Sequence, residues 1–311
     1  MSTSTFEYGY IEDVEWLEDY RPGGYHPVKI DDRLNERYRV VHKLGYGTFS
    51  TAWLALDEQT SKYVAIKVGT AGADRSEVDV LSQLTARVAA GSGAADQTLK
   101  DAKMVASNRR LLQLDVARSL AAQLVMAISF VHSQGYAHGD KARFESYSPL
   151  ILRPPEPVFE PTIPLSFAAD IWTLGCIIFE LFAQRSLIDG VLAPPSEIIA
   201  QEIHLQGPLP PEWWERYEDR FEWFDEAQNP TSNECDIWSW DRRFQQWIQE
   251  ARRHYAMDVM DEQEGVALLD MLRWMLAWKP QDRPTADEIL DAAWMKKWAL
   301  PAYERAQKAW A

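Results

Sequence analysis

The chain has 311 residues, 46% of them hydrophobic, enough apolar material for a sizeable core and too much for a disordered polymer. A formal charge of −15 argues against direct binding to nucleic acid, whose phosphates would repel such a surface, and suits a basic partner. The two cysteines, Cys176 and Cys235, form neither a disulfide framework nor a zinc spacing, and Cys176 sits in an apolar run as a small core residue. The N-terminus lacks the basic start and apolar stretch of a signal peptide. The run IWTLGCIIFELF, 171–182, carries Glu180 and falls short of the roughly 20 residues a span needs, so no membrane and an intracellular location are expected.

Residues 1–36 are acidic, with turn and extended-chain signals at Arg21-Pro22-Gly23-Gly24 and His26-Pro27, and read as a strap. Three runs follow at 37–45, 51–57 and 62–69. Their β-branched and aromatic residues, separated by glycine-rich and polar turns, predict an antiparallel meander. Residues 74–88 predict a helix with Val78, Leu81 and Leu84 on one face, and 89–110 lack periodicity and read as linker. Val116, Leu120, Leu124, Ile128 and Val131 predict a helix at 112–134, and 166–184 is apolar nearly all round, as a central buried helix would be. The remainder is helical, with turn signals at 193–196, 207–211 and 229–233 and no internal repeat. Twelve of the 14 tryptophans lie from Trp172 onward and are expected to be core anchors.

Chemistry enters with LGYGTFSTAW, which places Gly45 and Gly47 between two strands, where backbone amides can approach a phosphate with no side chain in the way. A glycine-rich hairpin alone is also an ordinary turn. The next strand, VAIK, ends in Lys67, a cation that on a buried strand needs a carboxylate or a ligand anion, and Glu77 follows ten residues later. Then come His138, Gly139 and Asp140, the run RPPE ending at Glu156, FAADIWTLGC and WKPQDRPTADEIL.

In this order the motifs resemble the eukaryotic protein kinases. YRPGGYHPV, LGYGTFSTAWLALD, HGD, FESYSPLILRPPE and WMKKWALP resemble more narrowly the SR-protein kinases, especially fungal ones. The resemblance implies an α+β, bilobal fold: a strap at 1–36, a small, reduced β-rich lobe at 37–88, a linker at 89–111 and a large α-helical lobe at 112–311. It implies ATP-dependent phosphorylation of serines in Arg-Ser-rich proteins such as splicing factors, with magnesium as the family's metal, in the cytoplasm and nucleus.

By the same resemblance, Gly45, Gly47 and Ser50 would cover the ATP phosphates, with Leu44 and Ala52 flanking the adenine. Lys67 would bind the α- and β-phosphates and pair with Glu77. Asp140 would accept the substrate hydroxyl proton, Glu156 would pair with Arg283, and Asp170 would hydrogen-bond the catalytic-loop backbone. Gly139 replaces an arginine that reads an activation-loop phosphate in many kinases, a replacement SR-protein kinases share, which implies activity without that phosphorylation.

The chain departs from the pattern in two places. Residues 85–111 are too few for the two further strands, hinge and helix of the small lobe. The stretch after Asp140 lacks the magnesium-binding Asn and the Asp-Phe-Gly motif, so no metal ligand is assigned. Glu145 stands at the spacing of the missing Asn, and its surroundings read better as the end of the activation segment. Fifteen residues separate Asp140 from Glu156 and can bridge tens of Å at about 3.3 Å each, so the helical lobe can still close. Alternatives therefore stay open: an active kinase, a pseudokinase-like protein that docks basic Arg-Ser-rich partners, or a truncated gene product. For docking, residues 212–226 offer Glu212, Glu215, Glu218, Asp219, Glu222, Asp225 and Glu226 beside aromatic side chains. The competing reading is a solvated helix face paired internally through Arg216 and Arg220.

Overall fold

The computed structural model describes residues 17–47, 50–60, 62–71, 111–137, 148–190, 193–231 and 238–308. The helix expected at 74–88 and nearly all of the linker lie outside them. The chain divides into two compact units, Met1–Ala90 and Gly91–Ala311.

The first unit carries a four-stranded antiparallel sheet in sequential order, β1 (Arg33–Leu34), β2 (Tyr38–Gly47), β3 (Ser50–Asp57) and β4 (Lys62–Gly69). The three expected runs are all strands of one meander, and β2 continues two residues further than its pattern suggested. Along β3 the side chains alternate, with Thr51, Trp53, Ala55 and Asp57 buried and the residues between them half-buried. That is the period of a strand with one covered face. Val28, Val40 and Trp53 form the small core on that face. The strap contributes more than a covering: Val28 is in the core, β1 belongs to the sheet, and the Asp31 and Val40 amides donate to the Val40 and Asp32 carbonyls at 2.8 Å each.

Asp57 closes the β3–β4 turn. Its buried carboxylate accepts Arg37 Nε and Nη2 at 2.8 and 2.6 Å, the Thr60 hydroxyl at 2.8 Å and the Gln59 amide at 3.0 Å. The Arg37 hydrogen bonds hold the Asp57 carboxyl well below the usual carboxylate range.

The second unit is helical. Its longer helices are α1 (Leu114–Ser133), α2 (Phe167–Phe182), α3 (Pro195–Gln206), α4 (Glu262–Met275) and α5 (Leu300–Lys308), with single turns and π-helical stretches between them. The helices expected at 112–134 and 166–184 are α1 and α2. α2 starts at the Ser166 side chain, which caps the Ala168 amide, and buries residues around its circumference, from Ile171 and Trp172 to Phe179 and Phe182. Gly175 lets it approach the end of α4, since a Cβ there would lie 2.3 Å from Leu276 Cδ1. By length and composition alone α1, 20 residues long, could cross a membrane. Its Ala117, Ala121, Ala122 and Val125 are instead packed into the core cluster that contains α2. Asp115 and Arg118 interrupt its apolar run, so the sequence does not stand out as a span.

The tryptophan expectation is met at Trp172, Trp213, Trp240, Trp247 and Trp294, all buried, whereas Trp274 is exposed. Cys176 is a free, fully buried thiol.

Candidate functional site

In the first unit, strand register does what the motif spacing only suggested. Gly45 is the cross-strand partner of Ala52, and Ala52 is the partner of Lys67. Directly paired residues share a face of the sheet, so these three form one row across β2, β3 and β4. The row lies on the face opposite the buried Thr51, Trp53 and Ala55. A register shift between Lys43 and Gly45 leaves Leu44 outside the pairing, a bulge that bends β2 just before the glycine turn. Gly47 pairs with Ser50 and closes the hairpin.

Lys67 is not on a buried strand, as had been expected. Exposed and half-buried residues alternate along β4, and Lys67 is exposed, because the strand edges an open face. Ala65, paired with Leu54, continues the row's face and was not picked out from the sequence. Counting back two residues from Lys67 would have found it. The row thus sets an exposed lysine beside two small residues and a glycine turn. Glu77 and Asp140, the other named positions, lie outside the described residues. Glu145 and Cys235 do too.

In the second unit, Glu156 and Arg283 form the expected pair, buried, with Nη1 on Oε1 at 2.9 Å and Nη2 on Oε2 at 2.7 Å. Asp170 Oδ2 lies 2.9 Å from His132 Nε2 at the end of α1. Residues 138–147, which include the expected catalytic-loop motif His138-Gly139-Asp140, fall outside the described residues. Near the ion pair is a carboxyl that the sequence did not flag. Glu202 on α3 is buried with Oε2 unpartnered. Burial pushes it well above the usual carboxylate range, Arg283 opposes that, and the Glu156 charge adds to it.

Residues 211–226 form two one-turn helices, Pro211–Trp214 and Arg220–Trp223, rather than one face of a continuous helix. Phe224 leaves the second in extended conformation and bridges to Pro230. Trp213, Tyr217 and Phe224 bury themselves in a shared cluster with Phe159. The seven carboxylates divide. Glu212 is bound by Lys279 at 2.6 Å, which holds its carboxyl below the usual range, and Asp225 accepts from Ala227 and Asn229 within its own turn. Glu215, Glu218, Asp219, Glu222 and Glu226 are exposed and make no ion pair among the described residues. Internal pairing through the arginines is not found. Arg216 donates to the Phe159 carbonyl, and Arg220 donates to the Tyr217 carbonyl at 2.9 Å while lying over the Phe221 ring. Carbonyls that need donors take the guanidinium groups and leave the carboxylates open.

Among the described residues no group of three or more His, Cys, Asp or Glu side chains could hold a metal ion.

No protein-family model matches the chain. Parts of it are similar to curated serine/threonine kinases. SRSF protein kinase 3 of Homo sapiens is 58% identical over 57 residues, 18% of this chain and 10% of the relative. Serine/threonine-protein kinase spk-1 of Caenorhabditis briggsae is 32% identical in an alignment of 162 positions that takes in 42% of this chain and 14% of the relative. Serine/threonine-protein kinase SRPK of Physarum polycephalum is 53% identical over 55 residues, 17% of this chain and 13% of the relative. The chain thus matches only a small part of each relative's length. These partial matches across distant organisms support a relationship to the serine/threonine protein kinases.

Proposed function

We propose that this chain is a protein-kinase relative of the SR-protein type that docks basic, Arg-Ser-rich proteins on its helical unit. It holds nucleotide phosphates weakly along the Gly45–Ala52–Lys67 row and has lost most magnesium-supported transfer to serine. The observation that carries docking is the set of exposed carboxylates at Glu215, Glu218, Asp219, Glu222 and Glu226, which make no ion pair among the described residues and lie beside a buried aromatic cluster. Arginine suits carboxylates through its forked donors, and a row of them suits a repeated Arg-Ser segment.

Phosphoryl transfer relies on positioned metal ions, and single charge-stabilising groups there are worth roughly 10³-fold or more. Without the Asn and Asp-Phe-Gly ligands, little transfer is expected. ATP, when bound, would supply the transferable γ-phosphoryl group. On this chain Lys67 would hold its phosphates and the Gly45–Gly47 turn would cover them. The reduced small lobe and the bilobal arrangement belong to the same reading.

The test is binding of an Arg-Ser-rich peptide to the full chain without ATP. Affinity should fall steeply with salt, because exposed charges are screened beyond a Debye length of about 10 Å at 0.1 M. Reversing Glu218, Asp219 and Glu222 to lysine should weaken binding by on the order of tenfold or more, against about twofold for reversing Glu12, Asp13 and Glu15 in the strap. Salt-insensitive binding would sink the docking reading. Equal losses from both reversals would leave only a general acidic attraction.

A further inference from the structure

Besides the β1–β2 pairing, the strap reaches the glycine turn at the end of β2 through a tyrosine hydroxyl. Tyr25 Oη donates to the Gly47 carbonyl at 2.7 Å, and the ring is buried at 8% exposure. Its backbone is held on both sides. The Tyr25 amide donates to the Asp19 carbonyl at 3.0 Å, closing a turn in which Gly23 has φ 91° and a Cβ on Gly24 would lie 1.9 Å from the Asp19 oxygen. Just ahead of Tyr25, the Gly24 carbonyl accepts the Ala71 amide at 3.1 Å, four residues beyond Lys67. Three residues after Tyr25, Val28 enters the core with Val40 and Trp53. Tyr20 packs on the ring, with centroids 5.7 Å apart. The phenol is therefore a strut with a fixed base, linking the end of β4 to the end of β2.

Holding the Gly47 carbonyl restricts the ψ of Gly47, one of the two soft dihedrals at that residue. A hairpin that receives phosphates does so through backbone N–H groups, and their directions matter because a hydrogen bond weakens steeply as it bends. A glycine turn left to itself samples many backbone conformations, and the freedom that lets a phosphate approach also costs affinity when it is lost on binding.

We propose that Tyr25 is a positioning residue for nucleotide phosphates, presetting the glycine hairpin through the Gly47 carbonyl. This rests on the reading of the Gly45–Ala52–Lys67 row as a phosphate site. Tyr25→Phe keeps the ring and removes only the hydroxyl, so the small core should survive.

Two measurements on the full chain decide it. In hydrogen exchange, Tyr25→Phe should speed the amides at Tyr46 and Gly47 by about twofold to tenfold, the range expected for one net hydrogen bond, and leave Ala55 and Trp53 unchanged. In titrations with ATP and AMP, ATP affinity should drop about twofold to tenfold and AMP affinity less, since the strut acts on the part of the site that meets the outer phosphates. Unchanged exchange at Tyr46 and Gly47 would overturn the strut. Faster exchange with ATP affinity equal to the unsubstituted chain, or equal losses for ATP and AMP, would overturn the positioning role. An unsubstituted chain that binds no nucleotide would overturn the phosphate site and the role with it, while the exchange result would still report separately on the strut.

Discussion

Replacing Arg283 with alanine is expected to destabilise the helical unit by about 3–5 kcal/mol, the usual cost of leaving one member of a buried ion pair alone. Every N–H of this guanidinium is used. Nε donates to the Ala277 carbonyl at 2.8 Å, Nη1 to Glu156 and to the Ala168 carbonyl at 3.0 Å, and Nη2 to Glu156 and to the Trp278 carbonyl at 3.0 Å. The plane also lies over the Trp172 ring. Truncation strands a buried carboxylate and three carbonyls, and it removes the cation that restrains the neighbouring Glu202. Arg283→Lys should recover only a small part, because an ammonium has three donors and no fork. The double change Glu156→Leu with Arg283→Met should cost far less than Arg283→Ala, since no charge remains buried. Urea unfolding of the four proteins checks this. A loss below about 1 kcal/mol for Arg283→Ala would mean that water reaches the pair.

Trp213→Ala is the second large effect, expected to cost about 3–5 kcal/mol in stability and to weaken peptide docking as well. The indole is fully buried and stacks on Phe159 with centroids 5.0 Å apart. Its Nε1 donates to Glu160 Oε1 at 2.9 Å, and Lys279 Nζ lies 4.3 Å from the ring centre while bridging Glu160 and Glu212. Residues 156–160 thus tie the acidic turns to the segment that holds Arg283. Without the indole, Glu215, Glu218 and Glu222 lose the platform that fixes their spacing. Trp213→Phe keeps the stack and should cost about 1–2 kcal/mol, mainly through the lost donor to Glu160. Docking that is unchanged in Trp213→Ala at temperatures where it stays folded would show that these carboxylates need no platform.

The strands were legible because β-branched runs broken by glycine and polar turns carry their own period, α1 because its apolar residues recur at helical spacing, and α2 because it is apolar nearly all round. The Glu156–Arg283 pair was legible only through resemblance: its members are 127 residues apart and no local pattern joins them. Nor could the sequence say where Arg216 and Arg220 would turn. Charges close together in a chain suggest ion pairs, but unpaired carbonyls at the ends of one-turn helices compete for the same donors. The Tyr25–Gly47 bond and the joining of the strap to the sheet by β1 were hidden for the same reason, since both depend on how a turn folds back. Of the named site residues, Leu44, Gly45, Gly47, Ser50, Ala52 and Lys67 gather on and around one hairpin and its neighbouring strand.

The measurement closest to the central claim, that the phosphate row persists without its metal support, is calorimetric titration of the full chain with ATP in the presence and absence of magnesium. The account predicts weak binding that changes little when magnesium is added and is reduced further in Lys67→Met. Micromolar binding that requires magnesium would contradict it and would mean that metal ligands exist which the sequence motifs do not reveal.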